Sequence, residues 1–133
     1  MTRYLIAQIT ATVVFAGVDA VWLTAMGQRL YRRELGDVLA AGFRAAPAVL
    51  FYLLFPLGIV IFAVDPALSG GGVAAAAGRG ALFGFFCYAT YDLTNHATLR
   101  RWTATVTLAD IAWGCACTAL AAAAACLAAG LLA

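Results

Sequence analysis

The chain has no lysine and few charged residues of any kind. Its eight basic residues are all arginine, and together with six acidic residues they make up 11% of 133 positions, against 65% hydrophobic residues. A soluble domain of this size has charges at about a quarter of its positions, so the composition argues against a soluble globular protein. The net charge of +2 is small and spread along the chain, which gives no indication of nucleic-acid binding.

Recognisable cysteine motifs are also lacking. The four cysteines (Cys87, Cys115, Cys117 and Cys126) all fall in apolar stretches, and Cys115 and Cys117 lack the C-x-x-C spacing of redox and zinc motifs. Buried cysteine usually behaves as a small hydrophobic residue, which is the favoured interpretation, with metal or disulfide chemistry as the alternative. No cofactor can be identified from the sequence.

Long apolar runs dominate instead. Four segments stand out, at about residues 4–26, 47–64, 73–94 and 103–132. Each supplies roughly the 20 residues that a helix needs to cross about 30 Å of hydrocarbon. Because helices satisfy their own backbone hydrogen bonds inside a bilayer, we expect an all-α bundle of four transmembrane helices. Residues 1–133 would form one domain, embedded in a lipid bilayer.

The first connection, "GQRLYRRELGDVLAAGFRAAP", has an amphipathic pattern. Tyr31, Leu35 and Val38 fall on one helical stripe, while the arginines lie elsewhere. This pattern predicts a short interfacial helix over about residues 29–43, lying in the headgroup plane. The second connection, "VDPALSGGGV", is typical of a turn.

The arginines predict the orientation. Two lie on the side of the second connection, Arg3 and Arg79, and six lie on the side of the first and third connections: Arg29, Arg32, Arg33, Arg44, Arg100 and Arg101. Cytoplasmic loops are enriched in basic residues. We therefore expect the arginine-rich side to be cytoplasmic and both termini to lie on the outer face.

Three carboxylates fall inside or at the edge of the predicted spans. Asp19 and Asp110 would lie roughly 10 Å below the cytoplasmic surface, and Asp92 would lie nearer to it. Asp19 and Asp110 each begin a D-x-x-W pattern, with Trp22 and Trp113, which places acid and indole on one helical face. An ionisable side chain costs about 3 kcal/mol at the centre of a membrane helix, so these acids need polar partners or a function.

The helix faces that contain these acids supply further candidates. Gly80-x-x-x-Gly84 predicts a close helix contact on the third segment. We predict Asp19, Asp92 and Asp110 as catalytic or charge-handling residues. The predicted substrate-binding residues are Trp22, Tyr88, Tyr91, Asn95, Arg100 and Trp113.

Structural alternatives exist for several of these residues. Asn95, His96 and Trp102 could cap the third helix or belong to the interfacial aromatic belt. Asp19 and Asp110 could form a hydrogen-bonded pair that holds two helices together. A metal site made of the three carboxylates and His96 is a further, speculative alternative.

Four stretches carry a family resemblance: "GVDAVWL", "LYRRELG", "YDLTNHATLRRW" and "LADIAWG". With them the chain resembles, over nearly its whole length, a family of small bacterial membrane proteins named domain of unknown function 2177. The resemblance implies an integral protein of a bacterial plasma membrane whose motif residues include Asp92, Asn95 and Asp110, and it brings no activity with it. An apolar residue is more usual where His96 stands, which argues against an essential role for that residue.

Three functional hypotheses fit these patterns, and whether the protein is an enzyme stays open. The first is a site, open to the cytoplasmic leaflet, that binds or modifies a lipid or apolar small molecule. The second is a proton- or cation-coupled transporter, working as a homodimer because four helices rarely enclose a pathway. The third is a non-catalytic subunit that packs the small-residue run "ALAAAAACLAAG" against a membrane partner.

Overall fold

The chain folds into four long helices joined by short loops. A computed structural model describes residues 1–132, and there is no strand in that range. Helix α1 spans Thr2–Leu35, α2 spans Ala45–Ser69, α3 spans Gly72–Thr98 and α4 spans Ala104–Leu132. Within the described range these four helices are long and apolar enough to cross a membrane, so the predicted all-α membrane fold is confirmed.

The interfacial helix predicted over residues 29–43 is not confirmed. Residues Gly27–Tyr31 form a π-helical turn, and Arg32–Leu35 continue as α-helix, so this stretch extends α1. The amphipathic stripe is divided: Leu35 is buried, whereas Val38 and Phe43 lie in the following loop and are exposed. The apolar pattern of Tyr31 and Leu35 therefore reflects packing against the protein itself.

Glycines set the close approach of α3 and α4. A Cβ atom added to Gly80 would lie 2.7 Å from Ala122 Cβ and 2.8 Å from the Thr118 carbonyl oxygen, and one added to Gly84 would lie 2.7 Å from Thr118 Oγ1. Such distances are shorter than side chains tolerate. The Gly80-x-x-x-Gly84 contact predicted from the sequence is therefore present, and it joins the two helices most closely packed in the bundle.

The alanine-rich half of α4 faces the interior of the same bundle. Its small residues Ala121, Ala122, Ala125 and Ala129 are buried in a core that also contains Ala7, Ala11 and Phe15 of α1. What α4 exposes nearby is Leu120 and Leu127. The small-residue run is thus used within the chain, and it no longer argues for a partner helix.

Candidate functional site

Asp19 joins three helices. The residue lies on α1 and is 6% exposed. The Tyr52 hydroxyl of α2 donates to Oδ2 at 2.6 Å, and the indole Nε1 of Trp113 on α4 donates to Oδ1 at 3.0 Å. Both oxygens therefore accept a hydrogen bond from a neutral donor.

The two D-x-x-W pairs meet face to face. The rings of Trp22 and Trp113 stack with centroids 4.4 Å apart and planes 9° from parallel. Trp22 Nε1 donates to the Tyr31 hydroxyl at 2.9 Å, and that hydroxyl donates in turn to Asp110. Asp19 and Asp110 thus belong to one network, which passes through two indoles and a phenol.

The π-helical turn of α1 explains how Tyr31 reaches this network. Asp19 and Tyr31 are twelve positions apart, which in a straight α-helix would separate their directions by about 120°. A π-helical turn holds one extra residue, so it turns later residues back by about 100° and leaves roughly 20° between the two. The turn at Gly27–Tyr31 therefore brings Tyr31 onto the face of α1 that contains Asp19.

Asp92 is the third acid of the cluster, and unlike the other two it accepts no hydrogen bond within residues 1–132. The residue is 0% exposed, and neither carboxyl oxygen has a hydrogen-bond partner among the described residues when both acids are treated as acceptors. The Asp110 carboxyl of α4 lies close beside it. We call the three acids with Trp22, Trp113, Tyr31 and Tyr52 the acid cluster.

The acid cluster has no cationic side chain as a partner. Within residues 1–132 the ion pairs are Arg33–Glu34, at 3.0 Å, and Arg101–Asp37, at 2.6 Å, and neither includes a cluster acid. The predicted binding residue Arg100 is exposed on the loop between α3 and α4, where it lines a surface hollow with Asp37 and Val38. The structure therefore does not bring Arg100 to the acids.

The remaining candidates on α3 divide into two groups. Tyr88 is half-buried, and its ring fills the space where a side chain on Gly114 would lie, so it packs beside the acid cluster. Tyr91 is 58% exposed and packs edge-on against Trp102 at 5.6 Å, and Asn95 lies one helical turn after Tyr91. Tyr91 and Asn95 thus lie outside the cluster, next to the membrane or the loop.

His96 and Trp102 serve the connection between α3 and α4. Trp102 Nε1 donates to Thr107 Oγ1 at 3.1 Å, and His96 Nδ1 lies 3.4 Å from the same oxygen. This arrangement supports the structural alternative for both residues. Across the described chain, moreover, no three His, Cys, Asp or Glu side chains are grouped so that they could hold a metal ion.

Tyr31 and Tyr52 are cluster residues that the sequence analysis missed. Tyr31 was assigned to an interfacial helix, and its position depends on a π-helical turn that no sequence period reveals. Tyr52 lies in the run "VLFYLLF", where apolar residues on all sides hide which face is buried. The available signal was its hydroxyl group, since a polar atom in a hydrocarbon span needs a partner.

A lateral cleft lies beside the cluster, between α2 and α3. It has a volume of about 340 Å³ and is lined by Phe51, Phe55, Cys87, Tyr88 and Tyr91. Tyr88 separates the cleft from Gly114 of α4. The cleft is thus an apolar, aromatic space with the acid cluster behind one wall.

Replacing Tyr31 by Phe tests whether the network contributes to stability. The change removes a donor to Asp110 and an acceptor for Trp22, and interhelical hydrogen bonds in membranes contribute up to about 1–2 kcal/mol. We expect the free energy of unfolding to fall by about 1 kcal/mol or more in SDS titrations of the purified protein. Tyr4→Phe is the matched control, because the Tyr4 hydroxyl also donates to an aspartate, Asp65, at an exposed position; its effect should stay within about 0.5 kcal/mol. Equal effects of the two changes would contradict a structural role for the cluster.

Comparison with known proteins gives a family and no named relative. The family model described as "Predicted membrane protein (DUF2177)" matches residues 4–127, which include every residue of the acid cluster and of the cleft. Searches of curated proteins and of solved structures found no match.

Proposed function

This chain belongs to the DUF2177 family of predicted membrane proteins, and we propose that it binds a lipid or another apolar small molecule that enters sideways from the membrane. The observation that carries this proposal is the cleft between α2 and α3, which lies next to the acid cluster. Its volume of about 340 Å³ is at the lower end of small-molecule sites. A segment of an acyl chain or a compact ring system would fit it.

The walls of the cleft connect it to the acid cluster. Phe51 packs against Tyr52 with ring centroids 5.0 Å apart, and Tyr52 donates to Asp19. Phe55 packs against Tyr88 at 6.0 Å and against Phe15 at 4.8 Å. A molecule in the cleft would therefore press on side chains that position the acids.

The charge of the acid cluster favours one class of ligand. Buried carboxylates without a cationic side chain repel an anionic headgroup and attract a positive one. Aromatic walls add cation–π attraction for an ammonium group. We therefore expect a neutral or cationic amphiphile rather than an anionic lipid. The polar end of this amphiphile would be attracted by the negative charge of the acids behind the wall of the cleft.

Photo-crosslinking tests whether the cleft holds a particular molecule. Phe51 would be replaced by p-benzoylphenylalanine, and the protein would be irradiated in membranes and analysed by mass spectrometry. Leu108 is the matched control, because it is 70% exposed on α4 and lies near the same end of the bundle. A ligand held in the cleft should give one defined adduct mass at position 51 and a spread of lipid masses at position 108.

The same experiment in the Asp19→Asn/Asp110→Asn background tests the role of the acids. If their negative charge attracts the polar end of the ligand, the defined adduct should fall at least tenfold, and native mass spectrometry in mild detergent should show the bound mass only in the unchanged protein. The same spread of lipid adducts at positions 51 and 108 would contradict the proposal, because the cleft would then hold only bulk lipid.

A further inference from the structure

Asp92 is the one acid of the cluster to which the structure gives no donor. Asp19 accepts from Tyr52 and Trp113, and Asp110 accepts from Tyr31. Asp92 is 0% exposed, and both of its carboxyl oxygens lack a partner when the acids are treated as acceptors only. A buried carboxylate without a donor is strongly unfavourable. A hydrogen-bond donor other than the neighbouring side chains must therefore satisfy it.

The neighbouring acid, Asp110, indicates which donor satisfies the Asp92 carboxyl group. The Asp110 carboxyl of α4 lies close beside it, yet two carboxylate anions can only accept. A hydrogen bond forms between them when one of the two carries a proton. We propose that Asp92 and Asp110 form a proton-binding site, in which one exchangeable proton is shared between the two carboxyl groups.

A proton fits this site better than a metal ion does. Two carboxyl groups and the Tyr31 hydroxyl are too few ligands for a Ca²⁺ or Mg²⁺ ion, which takes six or more oxygens, and no third His, Cys, Asp or Glu joins them among residues 1–132. Neither acid lines the cleft beside Tyr88. A proton needs no cavity, and it lowers the negative charge of the pair from two to one.

Titratable groups surround the pair on three helices. Tyr31 of α1 donates to Asp110, and Asp19 of the same helix accepts from Trp113 of α4. Tyr52 of α2 donates to Asp19 and not to the pair.

Helix α3 adds a phenol and a base. Tyr88 and His96 lie four positions before and four positions after Asp92. The His96 Nδ1 atom lies 3.4 Å from Thr107 Oγ1, and among the described residues it forms no ion pair with either acid. The imidazole is therefore held by Thr107, and the shared proton stays between the two carboxyl groups.

Asp110 offers the route by which the proton exchanges. It is 7% exposed, whereas Asp92 is closed to solvent. A proton would therefore arrive at the Asp110 carboxyl and move to the position between one Asp110 oxygen and one Asp92 oxygen, and release would reverse that path. Nothing in this cycle requires an occupant of the lateral cleft, so the inference stands apart from the proposed ligand binding.

Infrared spectroscopy of the purified protein tests the shared proton. The protein would be labelled with carboxyl-¹³C aspartate, and its spectrum recorded at neutral pH in H₂O and in D₂O. We expect a carbonyl stretch of protonated aspartic acid that shifts with the ¹³C label and with deuteration, and that bleaches as the pH rises. Asp92→Asn and Asp110→Asn should each abolish it, because the amide supplies the donor that the proton otherwise provides.

Asp65→Asn is the control variant. Asp65 lies at the opposite end of the bundle and accepts from Tyr4 at 2.8 Å, so its loss should leave the band unchanged. Helical circular dichroism and gel filtration would establish that each variant is folded, and either variant of the pair suffices if the other does not fold. The absence of a protonated aspartic acid band in the unchanged protein would overturn the proposal. So would a band that persists in folded Asp92→Asn or Asp110→Asn protein.

Discussion

Gly84→Leu should destabilise the protein by about 3 kcal/mol or more, whereas Gly78→Leu, six residues earlier on the same helix, should change stability by about 0.5 kcal/mol or less. A side chain on Gly84 would collide with the Gly114 backbone and with Thr118 Oγ1 of α4, while nothing lies within 4 Å of a Cβ on Gly78. Backbone of a neighbouring helix cannot give way as a flexible side chain can. The α3–α4 contact would therefore have to open.

The measurement is unfolding of both purified variants in SDS titrations, followed by circular dichroism. Because the two variants share the same added volume and the same helix, hydrophobicity and helix propensity cancel in the comparison. Opening of this contact should also separate Asp92 from Asp110, because the two acids lie on α3 and α4. Equal stability of the two variants would show that α3 and α4 do not pack through Gly84.

Cysteine labelling of intact cells should show which loops of the protein face the outside of the cell. Ser69→Cys, at the end of α2, should react with a membrane-impermeant thiol reagent added outside, and Ala41→Cys, in the loop after α1 on the arginine-rich side of the bundle, should not. Both positions are exposed, and the basic residues favour the cytoplasm for the second. After permeabilisation both cysteines should react.

The unchanged protein is the control for this labelling, because its four cysteines lie within α3 and α4 and should stay unreactive toward a charged reagent. Labelling of Ala41→Cys in intact cells, with Ser69→Cys protected, would place both termini in the cytoplasm. The arginine distribution would then have predicted the wrong orientation.

The four spans could be predicted because each consists of an apolar run long enough to cross a bilayer. The same holds for the Gly80-x-x-x-Gly84 contact, where spacing alone puts both small residues on one face. The D-x-x-W pairs are a third success of this kind: Asp19 and Asp110 are buried, and their tryptophans stack. In all three cases a fixed helical period links sequence to geometry.

Side-chain positions could not be predicted where the α-helical period is interrupted, where the helix ends, or where every face of the helix is apolar. The π-helical turn after Met26 shifts the phase of α1, so an interfacial helix was expected where the chain instead extends α1 and turns Tyr31 inward. Arg100 follows Asp92 closely in sequence, but α3 ends before it and leaves it exposed in the loop, so it does not reach the acids, and its binding role stays a prediction. Tyr52 was missed because a helix that is apolar on every side shows no preferred face.

The depth of the Asp92–Asp110 pair has an electrical consequence. Helix α3 has 27 residues, about 40 Å, which matches a bilayer with its headgroups. Asp92 lies six residues from its end at Thr98, about 9 Å, and therefore only a few ångströms inside the hydrocarbon boundary. A proton that enters from the arginine-rich side would cross about a tenth of the membrane potential, roughly 0.2 kcal/mol per 100 mV. Its uptake would follow the pH of that compartment and be nearly independent of voltage.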